Sequence, residues 1–153
     1  EAPRWPLPQF GDLVWCRFPF GGNPTNARHP ALVIDIYIEE GADPQVLLIG
    51  GTSAHKNGAW TRSIKSTDFV LQGSVLTPAG LTNPTAIQFE ADAITTLPWG
   101  DTYFVAVAPK LTPIMGSIQL ALTRNPLKAA FQTAGQAADL KQLLNAERAR
   151  VKS

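Results

Sequence analysis

The stretch 11-GDLVWCRF-18 alternates along its length, with Leu13, Trp15 and Arg17 on one face and Val14, Cys16 and Phe18 on the other, directly after a Gly-Asp turn. A period of two is the mark of a β-strand. Working outward, 31-ALVIDIYI-38 is apolar and β-branched and reads as a buried strand. After the charged turn 39-EEGADP-44, the run 45-QVLLIGG-51 reads as another, ending on two glycines. Shorter strand signals at 67-TDFVL-71, 85-TAIQFE-90 and 103-YFVAVA-108 are divided by Gly- and Pro-containing turns. Many short strands at close spacing favour a small, mainly β barrel over a βαβ sheet. Between the first two strands, 19-PFGGNPTNARH-29 is too rich in Pro, Gly and Asn for regular structure, and a loop of that length in a compact domain is often functional.

The last third changes character. Asn125-Pro126 has the chemistry of a helix start, Asn as cap and Pro in the first turn. From there Leu127, Ala130, Phe131, Ala134, Ala137, Ala138, Leu140, Leu143 and Leu144 follow helical spacing, and 147-ERAR-150 closes the pattern. Gly135 weakens the middle by about 1 kcal/mol relative to Ala, so one helix or two shorter ones fit. The division expected is a barrel domain over 1–124 and a helical extension over 125–153 whose apolar stripe packs on it.

Composition narrows the function. With 153 residues, one domain is expected, and it needs no covalent staple. Cys16 is the only cysteine, which excludes an internal disulfide and a cysteine-based metal cluster and fits a reducing, cytoplasmic setting. The two histidines, His29 and His55, supply at most half of a zinc site. No apolar run approaches the roughly 18 residues of a membrane span, and 1-EAPRWPLPQF-10 has neither the basic start nor the apolar segment of a signal peptide. The net charge of +1 argues against a protein that coats nucleic acid through bulk electrostatics. It conceals an asymmetry: residues 1–110 carry seven basic and ten acidic side chains, or −3, and residues 111–153 carry six and two, or +4. The basic tail is either a contact for a polyanion or acidic partner or a solvated helix face.

The order 11-GDLVWCRFPF-20, loop, 29-HPALVI-34, 49-IGGTS-53 resembles the MazF/PemK-like toxin family. The likeness extends through 80-GLTNPTAIQFEADAITTLPW-99 and covers about residues 9–120. It implies an SH3-like small barrel with a C-terminal helical segment. It further implies a toxin of a type II toxin–antitoxin system that cleaves single-stranded RNA without metal or other cofactor. A bacterial cytoplasmic homodimer neutralised by a cognate antitoxin protein is the implied assembly. One position departs from the family pattern: the residue before the proline of the second strand is an arginine there and His29 here, with Arg28 one place earlier.

Cleavage of this kind uses the 2′-hydroxyl as nucleophile. A base takes its proton, the oxygen attacks phosphorus in line, an acid protonates the leaving 5′-oxygen, and the charge on the phosphorane meets donors already in place. Arg28 supplies a fork for phosphoryl oxygens, Thr52 a hydroxyl donor, and Gly50 and Gly51 room for a close approach to the backbone. His29 is the candidate general base or acid, because an unperturbed imidazole titrates near about 6.5. Arg28, His29 and Thr52 are therefore the candidate catalytic residues. Ser53, His55, Lys56, Trp60 and Arg62 are the candidate substrate-binding ones, Lys56 and Arg62 as guides for a phosphate backbone and Trp60 as a base-stacking ring. Trp15 and Trp99 are assigned to the core. A Ser53 nucleophile is disfavoured, because 50-GGTSAH-55 lacks the Gly-x-Ser-x-Gly elbow. The competing assignments are His29 as a strand-end residue and His55 as a loop histidine, and with them a non-catalytic RNA- or protein-binding module on the same barrel.

Overall fold

The computed structural model describes residues 5–19 and 27–152. It is mainly β, a curled antiparallel half-barrel sheet with a few helices. The strands are β1 (Asp12–Cys16), β2 (His29–Tyr37), β3 (Gln45–Thr52), β4 (His55–Lys56), β5 (Ala59–Trp60), β6 (Asp68–Leu71), β7 (Thr85–Gln88), β8 (Ile94–Pro98) and β9 (Ile114–Ser117). The helices are α1 (Leu76–Ala79), α2 (Gln119–Leu122), α3 (Asn125–Ala137) and α4 (Leu140–Lys152). The main sheet runs β6-β7-β3-β2-β1-β9, with β8 also on β3, and β4 and β5 form a separate small hairpin. The greater part of the loop expected over 19–29 lies outside the described residues.

The three strands read first from the sequence form the centre. They are covered on both faces, which is why β2 and β3 are nearly continuous apolar runs. Leu13, Leu32, Leu47 and Ile49 point into one core, shared with Phe69, Ile87 and Phe89. Val14, Ala31, Val33, Val46 and Leu48 point into the other, closed by Phe18, Trp99 and Phe104. The β2–β3 register shifts between Val33 and Asp35, a bulge that reverses the phase of β2. Ile34 still serves the first core, whereas Ile36 packs on the second and Tyr37 returns to the first.

Helices α3 and α4 pack on the first core. Phe131 of α3 sets its ring edge against Phe69 and Phe89 at centroid distances of 5.0 and 5.3 Å. Ala134 and Leu140 are buried there. The Glu147 carboxylate of α4 accepts a 2.7 Å hydrogen bond from the Thr96 hydroxyl of β8. The helical pattern is broken at Asp139 (φ 54°), not at Gly135, which stays within α3. Aspartate tolerates this left-handed conformation, and its carbonyl accepts the N–H groups of Gln142 and Leu143 that start α4. Asn125 is the first residue of α3 rather than its cap; Arg124 holds the cap position and gives no side-chain bond.

One expected strand is absent. The segment 103–108 makes only single bridges, Cys16 to Phe104 and Val107 to Thr112. The reason is competition for an edge: β9 occupies the outer side of β1 as far as Val14, so only its last residues remain for this segment. Among the described residues no helix is long and apolar enough to cross a membrane.

Candidate functional site

Strand geometry brings the start of β2 and the end of β3 to one end of the sheet. The β2–β3 pairing ends at Ala31 opposite Gly50, so His29 and Thr52 stand at adjoining strand ends, each two residues beyond the last pair. Directly opposed residues share a face. On its other side His29 pairs with Cys16 of β1, and Trp15 pairs with Pro30. His29 therefore shares a face with Cys16, and Trp15 and Pro30 lie on the other. Arg28, exposed, stands at the entry to β2.

His29 is half-buried, and desolvation holds its pKa below the ordinary 6.5. Burial disfavours the imidazolium, so the ring is neutral at pH 7 and able to accept a proton. The Thr52 hydroxyl oxygen accepts the Ala54 N–H at 3.3 Å, which orients the oxygen while leaving its own proton to donate. Gly51 does not offer room for a phosphate. A Cβ there would lie 2.9 Å from Ile87 Cδ1 and 3.2 Å from the Pro30 and Ala86 carbonyl oxygens, so this glycine serves the close approach of neighbouring strands.

The remaining candidates spread along the following segment. His55 and Trp60 face each other across the β4–β5 hairpin, ring edge to ring face at 5.0 Å. That contact and the half-buried position of Trp60 leave it less of a platform for a base than the sequence implied. Lys56 is exposed at the hairpin turn, beside Asn57 (φ 53°) and Gly58 (φ 82°). Arg62 is occupied structurally: its Nη1 lies 3.9 Å from the carboxylate of Asp68, whose side chain is only 1% exposed. The same carboxylate accepts the Lys65 N–H at 3.0 Å, so part of the Arg62 charge is directed at a buried carboxylate within the fold.

Ser53 belongs to a feature that sequence reasoning missed. It lines a pocket of about 310 Å³ together with Trp15, Pro30, Asn83, Lys110 and Met115, among others. Trp15, assigned to the core from its strand position, is half-buried and forms part of this wall, whereas Trp99 is in the core as expected, at 3% exposure. The turn 80–85 contributes another wall, where the Thr85 hydroxyl fixes the backbone by donating to the Asn83 carbonyl at 3.0 Å. Lys110 is held at the rim, its ammonium 3.4 Å from the Met115 carbonyl oxygen. The pocket adjoins the candidate catalytic residues in the chain, since Pro30 follows His29 and Ser53 follows Thr52. Its only sequence signals were the Gly80-Leu81 and Pro84-Thr85 pairs and the Pro109-Lys110 turn, none of which has a periodicity to read.

Among the described residues there is no group of three or more His, Cys, Asp or Glu side chains able to hold a metal ion. No protein-family model matches the chain, and no curated protein matches it.

Proposed function

We propose that this chain is a metal-independent endoribonuclease of the MazF/PemK type, an SH3-like barrel that cleaves single-stranded RNA. In this reading it acts in the cytoplasm as a homodimeric toxin under the control of an antitoxin protein. What supports the chemistry is the antiparallel β2–β3 pairing, which brings the strand end carrying His29 to the strand end carrying Thr52, with Arg28 next to His29 in the chain. His29, kept neutral by burial, takes the proton of the 2′-hydroxyl. The freed oxygen attacks the neighbouring phosphorus and the bond to the 5′-oxygen breaks, leaving a 2′,3′-cyclic phosphate and a 5′-hydroxyl protonated from solvent. Arg28 stays protonated throughout and forks onto the phosphoryl oxygens, and Thr52 donates its hydroxyl to the same group.

The test is incubation of a mixed-sequence single-stranded RNA with the purified chain in EDTA, beside Arg28→Ala, His29→Ala and Thr52→Ala. Cleavage by the wild type to cyclic-phosphate ends, lost in all three variants and on 2′-deoxy substrates, is the expected result. Intact RNA under every condition refutes the reading. Tight binding of intact RNA favours instead a non-catalytic module, a second reading supported by the apolar walls of the adjoining pocket.

A further inference from the structure

The pocket beside the candidate site has a composition that selects its ligand. Its volume of about 310 Å³ sits at the lower end of the roughly 300–1,000 Å³ typical of ligand sites, room for one ring system rather than a folded segment. The walls are mostly apolar and include an indole, Trp15, and two proline rings, Pro30 and Pro109. Flat apolar surfaces of this kind accept a planar ring, and every nucleobase has a π-face to offer. Four polar side chains, Ser53, Thr82, Asn83 and Thr85, interrupt the apolar lining, and the Thr85 hydroxyl is engaged with the Asn83 carbonyl. Hydroxyl and amide groups both donate and accept, as the edge of a base requires and an aliphatic side chain does not. The fifth polar group is a cation, Lys110, tethered to the Met115 carbonyl at the rim.

We infer that this pocket is a nucleobase subsite, taking one base against Trp15 while Lys110 meets a phosphate attached to the same nucleoside. The inference rests on the ribonuclease reading for its biological use, but the binding event stands apart from cleavage. Bound there, a base lies between the segments that begin at Pro30 and Ser53, each one residue from a candidate catalytic side chain. Stacking tolerates any base, so selectivity among bases comes from Ser53, Thr82 and Asn83. These three are specificity-determining residues, and none of them takes part in proton transfer.

The experiment titrates the four nucleoside 5′-monophosphates into the isotope-labelled full chain by NMR, with ribose 5-phosphate as a ligand that lacks the base. The Trp15 indole resonance is assigned from its loss in Trp15→Phe. At least one nucleotide is expected to shift the Trp15 indole and the Ser53 and Asn83 amides, while ribose 5-phosphate leaves Trp15 in place. Trp15→Leu weakens binding about tenfold or more, and Trp15→Phe retains most of it. Because Trp15 also touches the core, Lys110→Ala and Asn83→Ala, at exposed positions, give a second line. Lys110→Ala abolishes the preference for nucleotide over nucleoside, and Asn83→Ala changes the ranking of the four bases. No shift at Trp15 with any nucleotide, or an equal shift with ribose 5-phosphate, overturns the inference. So does a shift produced by N-acetyl-leucinamide and by no nucleotide, which assigns the pocket to a protein side chain. Nucleotide binding without RNA cleavage sinks the ribonuclease reading and keeps the pocket. Cleavage whose KM is unaltered in the pocket variants sinks the pocket and keeps the ribonuclease.

Discussion

Replacing Gly116 by alanine tests the contact on which the shape of the pocket depends. Gly116 lies in β9, and the backbone at the end of α1 passes directly over it. A Cβ at position 116 would fall 2.6 Å from both the Ala79 carbonyl oxygen and the Gly80 nitrogen. Both neighbours are main-chain atoms, so no rotamer change relieves the clash and one element must move. Gly80 cannot yield by relaxing its own backbone, because it closes α1 in the left-handed region (φ 77°). Overpacking costs about 1–3 kcal/mol, and a rigid backbone contact belongs at the upper end. Against this stands a gain of about 0.4–1 kcal/mol from the reduced freedom of the unfolded chain. A net loss of about 2 kcal/mol remains, which for a domain of this size lowers Tm by about 4–8 °C. The control is Gly100→Ala, where a Cβ meets nothing within 4 Å and the backbone is not left-handed. It should hold or slightly raise stability. Urea unfolding followed by far-UV circular dichroism measures both. A Gly116→Ala midpoint equal to or above the wild type refutes the packing of α1 on β9. Because Gly80 and Met115 line the pocket, the same variant should weaken nucleotide binding there.

Other perturbations probe other parts of the fold. Burial holds the His29 pKa below 6.5, so kcat/KM for RNA cleavage should rise with pH through an inflection below that value and then level off; a profile without this limb removes His29 as the base. The sign for stability is the same: above pH 6.5 His29 is neutral folded or unfolded, and below it the unfolded chain binds the proton first. The wild type should therefore lose stability relative to His29→Gln as pH falls from 6.5 through the folded pKa, measured by urea midpoints at a series of pH values. Phe131→Ala removes two edge-to-face ring contacts and should cost about 2 kcal/mol, with faster amide exchange throughout α3 and α4; unchanged exchange would mean the helices are anchored elsewhere. Burial pushes the Cys16 thiol up to about 12, so a disulfide exchange reagent should label it only on unfolding, and rapid stoichiometric labelling of the native chain would contradict its placement.

The central strands were legible because their signal is local: Leu13 sits in an alternating segment, and Val33 and Leu48 sit in short β-branched or apolar runs bounded by turns. The peripheral ones were not. The sequence 114-IMGS-117 has no alternation, and Gly116 would weaken a strand judged alone; β9 exists because β1 offers it an edge. Conversely, 103-YFVAVA-108 has better strand propensity and no full edge to pair with. The four-residue α1 contains Pro78 and shows no helical period, while the break between α3 and α4 depends on one left-handed aspartate. For the candidate site, Arg28, His29 and Thr52 could be named from the sequence only as residues near strand ends, and the antiparallel β2–β3 pairing brings those ends to one end of the sheet. The pocket was not, because its walls come from β1, the start of β2, the segment after β3 and two turns. Trp15 illustrates the difficulty: strand alternation assigns it a face but not whether another element covers that face.

Both faces of the β1–β2–β3 sheet carry a core, and the pocket beside Trp15 opens where the first core ends near the strand ends and β9. Charge leads to the same place. The basic tail is partly neutralised within the fold, with Arg148 lying 3.6 Å from Asp35 and Arg150 2.6 Å from Glu147. Arg62 balances Asp68, and Lys65 pairs with Glu90 at 2.6 Å. The cations with exposed positions near the candidate site are Arg28, Lys56 and Lys110. Three such contacts to a single strand give a slope of about −2 for log affinity against log salt concentration. A polyanion held mainly by the tail would produce a steeper dependence, one that survives Arg28→Ala and Lys110→Ala. On the proposed function, a shallow slope that depends on Arg28 and Lys110 is the expected result, and a steep one that survives their removal moves the RNA to the tail.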